Sequence, residues 1–127
     1  MSQIVLDASA ILALLNAETG SELVQEVLPN AVLSTVNLCE VAARLSAAGM
    51  PENDVREVLS LLGLEAVPFT EEHAYQAGFL KPHTRSSGLS LGDRACLTLA
   101  VDRNAPAVTA DKAWKNLNLP VEIRLIR

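Results

Sequence analysis

The run Gln3-Ile4-Val5-Leu6-Asp7-Ala8-Ser9-Ala10-Ile11-Leu12-Ala13-Leu14-Leu15-Asn16 changes its period in the middle. Gln3 to Leu6 is short, apolar and β-branched at its centre, which suits a buried strand. From Ala8 to Asn16 the residues Ile11, Leu12, Leu14 and Leu15 fall at helical spacing. A strand that passes straight into a helix opens a β-α unit, and an acid, Asp7, stands at the joint. Desolvating a carboxylate is expensive unless it is paired or bound to a metal. Asp7 therefore caps the helix, or serves something beyond it; Ser9 competes for the capping role.

Outward from this unit the same alternation continues. A second helix runs from Gly20-Ser21 to about Leu28 and ends at Pro29-Asn30. Ala31 to Thr35 is a second strand, and Val36 to Ala48 a helix that Gly49 stops. Pro51 suits the first turn of a helix over Glu52 to Leu62, with acids at its start and Gly63 after its end. On that helix the Val55, Val58, Leu59 and Leu62 stripe reads as core. Leu64 to Phe69 is a third strand. Thr70 opens a helix to about Leu80, with His73 rather than Glu at the third position, so the capping box looks incomplete.

Lys81 to Ser90, with Pro82, Ser86, Ser87 and Gly88, is a loop. Leu91 to Arg103 is a strong helix, Ala107 to Thr109 a short strand, Asp111 to Asn116 a helical turn and Val121 to Ile126 a last strand. Strands alternating with helices imply an α/β fold with a central, mostly parallel sheet covered by helices on both faces.

The bulk properties narrow the function. The chain has 127 residues, and residues 1–127 are expected to form one domain. Half of the residues are hydrophobic, which excludes disorder. Aromatics are 3%, too few for a platform that binds bases by stacking. A net charge of −5 argues against a module that holds nucleic acid by phosphate attraction alone. It permits an enzyme whose carboxylates hold a cation, because a bound ion reverses the local sign.

Cys39 and Cys96 form no CxxC pattern and read as buried, reduced thiols. No basic segment precedes the first apolar run, so it is not a signal peptide. The longest apolar stretch, around Ala8 to Leu15, is far short of the roughly 20 residues that span a bilayer. A cytoplasmic location away from the membrane is expected.

Three more acids stand beside apolar runs as Asp7 does. Glu40 lies inside Val36-Asn37-Leu38-Cys39-Glu40-Val41-Ala42-Ala43, Asp93 in the helix start Ser90-Leu91-Gly92-Asp93, and Asp111 just after Pro106-Ala107-Val108-Thr109-Ala110. Each has an ordinary explanation. Glu40 precedes Arg44 by four residues, the order that favours a helical ion pair of about 0.3–0.5 kcal/mol. Asp93 sits where the helix macrodipole favours acids. Asp111 suits a cap for the turn before Trp114, with Thr109 as competitor.

Their joint arrangement, two at strand ends and two on helices, fits a shared divalent cation. Mg²⁺ takes hard oxygen ligands and keeps several waters, and such sites hydrolyse phosphodiesters. Other chemistries lack their signatures. The glycines are scattered, so no phosphate loop is present. No G-x-S-x-G elbow occurs, and His73 and His83 have no partner at metal-ligand spacing.

At these residues the chain resembles the PIN-domain ribonucleases, specifically the VapC-type toxins of VapBC toxin–antitoxin systems. The resemblance rests on Val5-Leu6-Asp7-Ala8-Ser9-Ala10, Asn37-Leu38-Cys39-Glu40-Val41, Val108-Thr109-Ala110-Asp111 and the most specific stretch, Gly88-Leu89-Ser90-Leu91-Gly92-Asp93-Arg94-Ala95-Cys96-Leu97-Thr98-Leu99-Ala100. It implies a Mg²⁺-dependent endoribonuclease, with Mn²⁺ as an alternative ion. Asp7, Glu40, Asp93 and Asp111 would form the metal site, Asp7 and Asp93 as the foremost direct ligands. Ser9 and Thr109 match hydroxyl positions that orient a carboxylate or a water. Ser90 and Arg85 precede the third acid, and Arg85 could clamp a phosphate.

The resemblance further implies a VapB-type antitoxin partner, an RNA substrate and a homodimer. The RNA surface would draw on Arg44, Lys81, Arg85 and Arg94. Two other readings compete: a receiver-like phosphoacceptor domain and a catalytically inactive PIN-like interaction module. The first usually needs paired acids after the first strand, whereas Asp7 is followed by Ala8-Ser9.

Overall fold

The structure, a computed structural model, describes residues 2–127. Five strands, β1 (Ile4–Leu6), β2 (Ala31–Ser34), β3 (Glu65–Val67), β4 (Ala107–Thr109) and β5 (Ile123–Leu125), form one sheet in the order β3-β2-β1-β4-β5. All four pairings are parallel. The helices are α1 (Ala8–Leu15), α2 (Ser21–Val27), α3 (Thr35–Ala47), α4 (Glu52–Leu61), α5 (Glu71–Phe79) and α6 (Leu91–Arg103). Short 3₁₀ turns at Leu28–Asn30, Arg85–Ser87 and Lys112–Asn116 complete the chain.

Strand period sets the two layers, because successive side chains leave opposite faces of a sheet. Ile4 and Leu6 of β1, Ala31 and Leu33 of β2 and Val108 of β4 join Ile11, Val24, Val41 and Val55 of α1 to α4 in one core. Val5, Val32 and Ala107, from the same strands, pack with Cys96, Leu97, Leu99 and Ala100 of α6 and with Trp114 in the other. The sheet is thus covered on both faces, as the alternation of elements predicts. The middle of α6, Ala95 to Ala100, is buried without a break because the helix lies between the sheet and α5.

The strand order reverses at β1. From it the chain moves outward through β2 to β3, then returns to lay β4 against the other side of β1. In open parallel sheets, a crevice opens at such a point, outside the carboxyl ends of the strands. The registers Val5↔Ala107 and Leu6↔Val108, with Asp7 N donating to Val108 O at 3.1 Å, bring the ends of β1 and β4 level.

Three sequence expectations change in detail. The capping box at α5 is complete: Thr70 Oγ1 accepts from His73 N at 3.1 Å while His73 Nδ1 accepts from Thr70 N at 3.5 Å. An imidazole nitrogen supplies the acceptor that a glutamate would. Cys96 is buried as expected, but Cys39 is exposed, on the outward side of α3. The third strand is shorter than the expected Leu64 to Phe69, running only from Glu65 to Val67, and Pro68 after it has no N–H to continue the ladder.

Leu6 is fully buried directly beneath Asp7. Leu6→Ala is expected to lower the unfolding free energy by about 2–5 kcal/mol through the cavity it leaves. Urea denaturation checks this, and an unchanged midpoint would contradict the packing described.

Candidate functional site

Asp7 ends β1 and caps α1. Its Oδ1 accepts from Ala10 N at 3.0 Å and from Ser9 Oγ at 2.7 Å, and its Oδ2 accepts from Thr109 Oγ1 at 2.7 Å. Both hydroxyls are themselves held by backbone donors, Ser9 across the β1–β4 joint and Thr109 locally at the end of β4. Ala110 N donates to Ser9 Oγ at 2.9 Å, and Asp111 N donates to Thr109 Oγ1 at 3.0 Å. Each N–H polarises a hydroxyl that points its hydrogen at Asp7, a chain of the kind that strengthens in low dielectric. Capping and site membership are therefore not alternatives for Asp7. A carboxylate offers about four lone-pair sites, and the three bonds leave room for another partner.

Burial nevertheless dominates. Asp7 is 4% exposed, and desolvation raises its pKa from 3.8 to about 6 against the lowering effect of Ser9, Thr109 and Ala10; the Asp93 charge adds to the rise. The Cys96 thiol, wholly buried under the same acids, is pushed well up by burial and then by Asp7, Asp93 and Glu40. It stays a protonated, apolar filler.

Asp93 lies in the first turn of α6, where it closes a capping box with Ser90. Ser90 Oγ accepts from Asp93 N at 3.2 Å, and Asp93 Oδ2 accepts from Ser90 N at 3.0 Å. Asp111 caps the 3₁₀ turn, Oδ1 accepting from Ala113 N at 2.9 Å. In both residues one oxygen fixes the local backbone and the other is left for the site. Glu40 does not pair with Arg44; instead its Oε1 accepts from Asn37 Nδ2 at 2.9 Å.

These residues line one cleft of about 420 Å³, together with Asp7, Ser9, Asn37, Asp93, Asp111 and the exposed Arg44. The cleft opens at the carboxyl ends of β1 and β4, at the reversal of strand order. Among the sequence-predicted positions, Asp7, Glu40, Asp93, Asp111 and Ser9 line it, and Thr109 sits fully buried behind Asp7. Ser90 serves the cap of α6. Arg85 and Lys81 are exposed on the 81–88 segment and do not line the cleft, while Arg94 turns inward and donates from Nη1 to Ala77 O at 3.0 Å, tying α6 to α5.

A hard-oxygen donor set suits Mg²⁺ or Mn²⁺. Among the described residues, no three His, Cys, Asp or Glu side chains close around an ion by themselves.

The sequence model of the PIN domain family matches residues 4–119. The chain belongs to the PIN domain family. No curated protein sequence gives a significant match. Solved structures do. A chain of the DNA-bound VapBC crystal structure from Salmonella typhimurium superposes with a TM-score of 0.77 at 17% identity, covering 100% of both chains. A chain of the toxin–antitoxin complex from Klebsiella pneumoniae gives 0.71 at 17% identity over 95% of this chain and 100% of its own. The VapBC-5 structure from Mycobacterium tuberculosis gives 0.62 at 22% identity over 98% and 99%. At such identities the likeness extends to the fold.

Two residues at this PIN domain's site have no counterpart among the sequence expectations: Asn37, which lines the cleft, and Gly92, which lies against Glu40. Their signals are a buried amide three residues before Glu40 on one helix face and a glycine inside a helix where no turn is needed. No helix among the described residues is long and apolar enough to cross a membrane.

Because the folded pKa of Asp7 exceeds its ordinary value, the folded chain holds that proton more tightly than the unfolded chain does. The resulting stabilisation is complete below about pH 4 and is lost as pH rises through about 6. In metal-free buffer this group should remove about 3 kcal/mol between those limits, at about 1.4 kcal/mol per unit. Asp7→Asn, neutral throughout, should lack that decline and be the more stable protein at neutral pH. Urea unfolding of both proteins at about pH 4 and about pH 7 measures the difference; parallel losses would contradict the shift.

Proposed function

We propose that this PIN domain is the toxin of a type II toxin–antitoxin system, a Mg²⁺-dependent endoribonuclease that hydrolyses RNA phosphodiester bonds. The observation that carries the reading is the gathering of Asp7, Glu40, Asp93 and Asp111 in one cleft at the switch point of a PIN sheet. The Ser9 hydroxyl in the cleft is engaged with Asp7 and Ala110 N, and four acids without a cation repel one another.

In the proposed mechanism Asp7 and Asp93 bind the ion directly, and Glu40 and Asp111 complete the acidic set around it. When bound, the divalent cation lowers the pKa of water and neutralises charge on the scissile phosphate. Ser9 and Thr109 favour the ionised form of Asp7 and fix its rotamer, with Ala110 N and Asp111 N holding them in turn. Arg44, at the cleft wall, draws the phosphate backbone to an otherwise acidic surface. Arg85 and Lys81 would meet RNA farther out on the 81–88 segment.

A VapB-type antitoxin is the expected partner, consistent with the VapBC complexes among the fold's relatives. An apolar groove of about 520 Å³ between α3, α4 and the β2–β3 edge adjoins the far side of α3 from the acidic cleft. A segment with apolar side chains along the groove and a basic one at its end would match both chemistries. A homodimer and a cytoplasmic location complete the proposal.

Asp93→Asn retains an acceptor for Ser90 N and so should stay folded. It is expected to lose RNA cleavage by on the order of a hundredfold or more, and with it toxicity on expression. Cleavage of a labelled RNA pool with and without Mg²⁺, wild type against variant, reads this. A wild type that binds Mg²⁺ yet cleaves nothing would favour the inactive-module reading, and a variant that still cuts would remove Asp93 from the mechanism.

A further inference from the structure

Asn37 is 1% exposed and sits on α3 one turn before Glu40. Its Nδ2 donates to Glu40 Oε1 at 2.9 Å and to Gly92 O at 3.0 Å, so both amide hydrogens are used. Its Oδ1 is buried and has no partner among the described residues. Turning the amide over would set Oδ1 against two other acceptors, Glu40 Oε1 and Gly92 O, so the orientation is fixed by the network. The polar lining of this cleft is mostly acceptors, Asp7, Glu40, Asp93 and Asp111. Of its donors, the Ser9 hydroxyl is given to Asp7 and Arg44 makes no bond to Asn37, so a group bound in the cleft is the remaining source of a hydrogen for Oδ1.

Gly92 supplies the second observation. It lies in the first turn of α6 at an ordinary helical φ, so no turn requires glycine there. A Cβ at this position would overlap Oε1, Oε2 and Cδ of Glu40. The glycine leaves room for the Glu40 carboxylate to lie against the helix backbone, one residue from Asp93. Helix interiors disfavour glycine, and its presence here is explained by that close approach.

We propose that Asn37 and Gly92 form a seat that holds the Glu40 carboxylate beside the first turn of α6, and that Asn37 Oδ1 accepts a hydrogen bond from a water in the hydration shell of a divalent cation bound in the cleft. The proposal rests on the metal reading given above. Asn37 is then a positioning residue: it acts through Glu40 and through a water. Outer partners of this kind typically change metal affinity by about 10–100-fold when removed.

The test is Mn²⁺ binding followed by loss of the free-ion electron paramagnetic resonance signal, for wild type, Asn37→Ala, Gly92→Ala, Glu40→Ala and the double variant Glu40→Ala/Gly92→Ala. Asn37→Ala and Gly92→Ala are each expected to weaken Mn²⁺ binding by about 10–100-fold. Gly92→Ala decides the matter whatever Asn37→Ala does to folding: alanine favours the helix, and the group it meets is the free end of a side chain that can swing away. Its melting temperature without metal should not fall.

Because the added methyl acts only through Glu40, Gly92→Ala should change nothing further in the Glu40→Ala background. A folded Asn37→Ala or Gly92→Ala that binds Mn²⁺ as tightly as wild type overturns the seat. A wild type that shows the expected variant losses yet cleaves no RNA supports the seat and removes the nuclease reading. A wild type that binds no Mn²⁺ overturns both.

Discussion

The burial of one carboxylate, Asp7, governs the site and much of the fold around it. Its oxygens receive hydrogens from α1 through Ala10 N, from the α1 side chain Ser9 and from β4 through Thr109. The helix that follows β1 and a strand some hundred residues later are therefore fixed to one group at the end of the central strand. The bonds favour the ionised form and burial opposes it, and burial wins, as the pKa near 6 records. A chain selected for stability alone would place an asparagine or a serine there. An ionisable group held near its titration point in a cleft is instead a functional signature.

The sheet order makes that position useful. Reversal at β1 opens a crevice without inserting any loop, and the adjoining strand delivers Asp111 two residues past Thr109. Helices α3 and α6, packed together, then bring Glu40 and Asp93 into the crevice side by side. Each acid outside β1 is pinned by a local bond of its own: a capping box, a 3₁₀ cap or the Asn37 amide. Local backbone chemistry thus orients the acids before any ligand arrives, which is the condition for a preorganised site.

The sequence made the layers legible because buried strands and amphipathic helices have different periods, so most element boundaries fall within a residue or two of the expected places. It could not reveal the order β3-β2-β1-β4-β5, since spacing implies parallel pairing but not the side on which each strand is laid. The four acids were legible from their apolar flanks, and the cleft gathers them. What stayed hidden were the partners. Arg44, four residues from Glu40, was the plausible mate by helix geometry, yet Asn37, three residues away and buried, takes that role through a contact with Gly92 from a helix some fifty positions on. Long-range contacts of that kind leave no periodic trace. Arg94 was similarly ambiguous, a basic residue beside the key motif that turns inward to bind Ala77 O.

The proton that burial favours on Asp7 must leave when a cation enters. Isothermal calorimetry of Mg²⁺ binding near pH 6, repeated in buffers of different ionisation enthalpy, counts that proton. About half a proton should be released per ion near pH 6, and almost none near pH 8, where the carboxyl is already ionised. Binding of Mg²⁺ with no proton release at either pH would contradict the assignment of Asp7 as a ligand held near its titration point by burial.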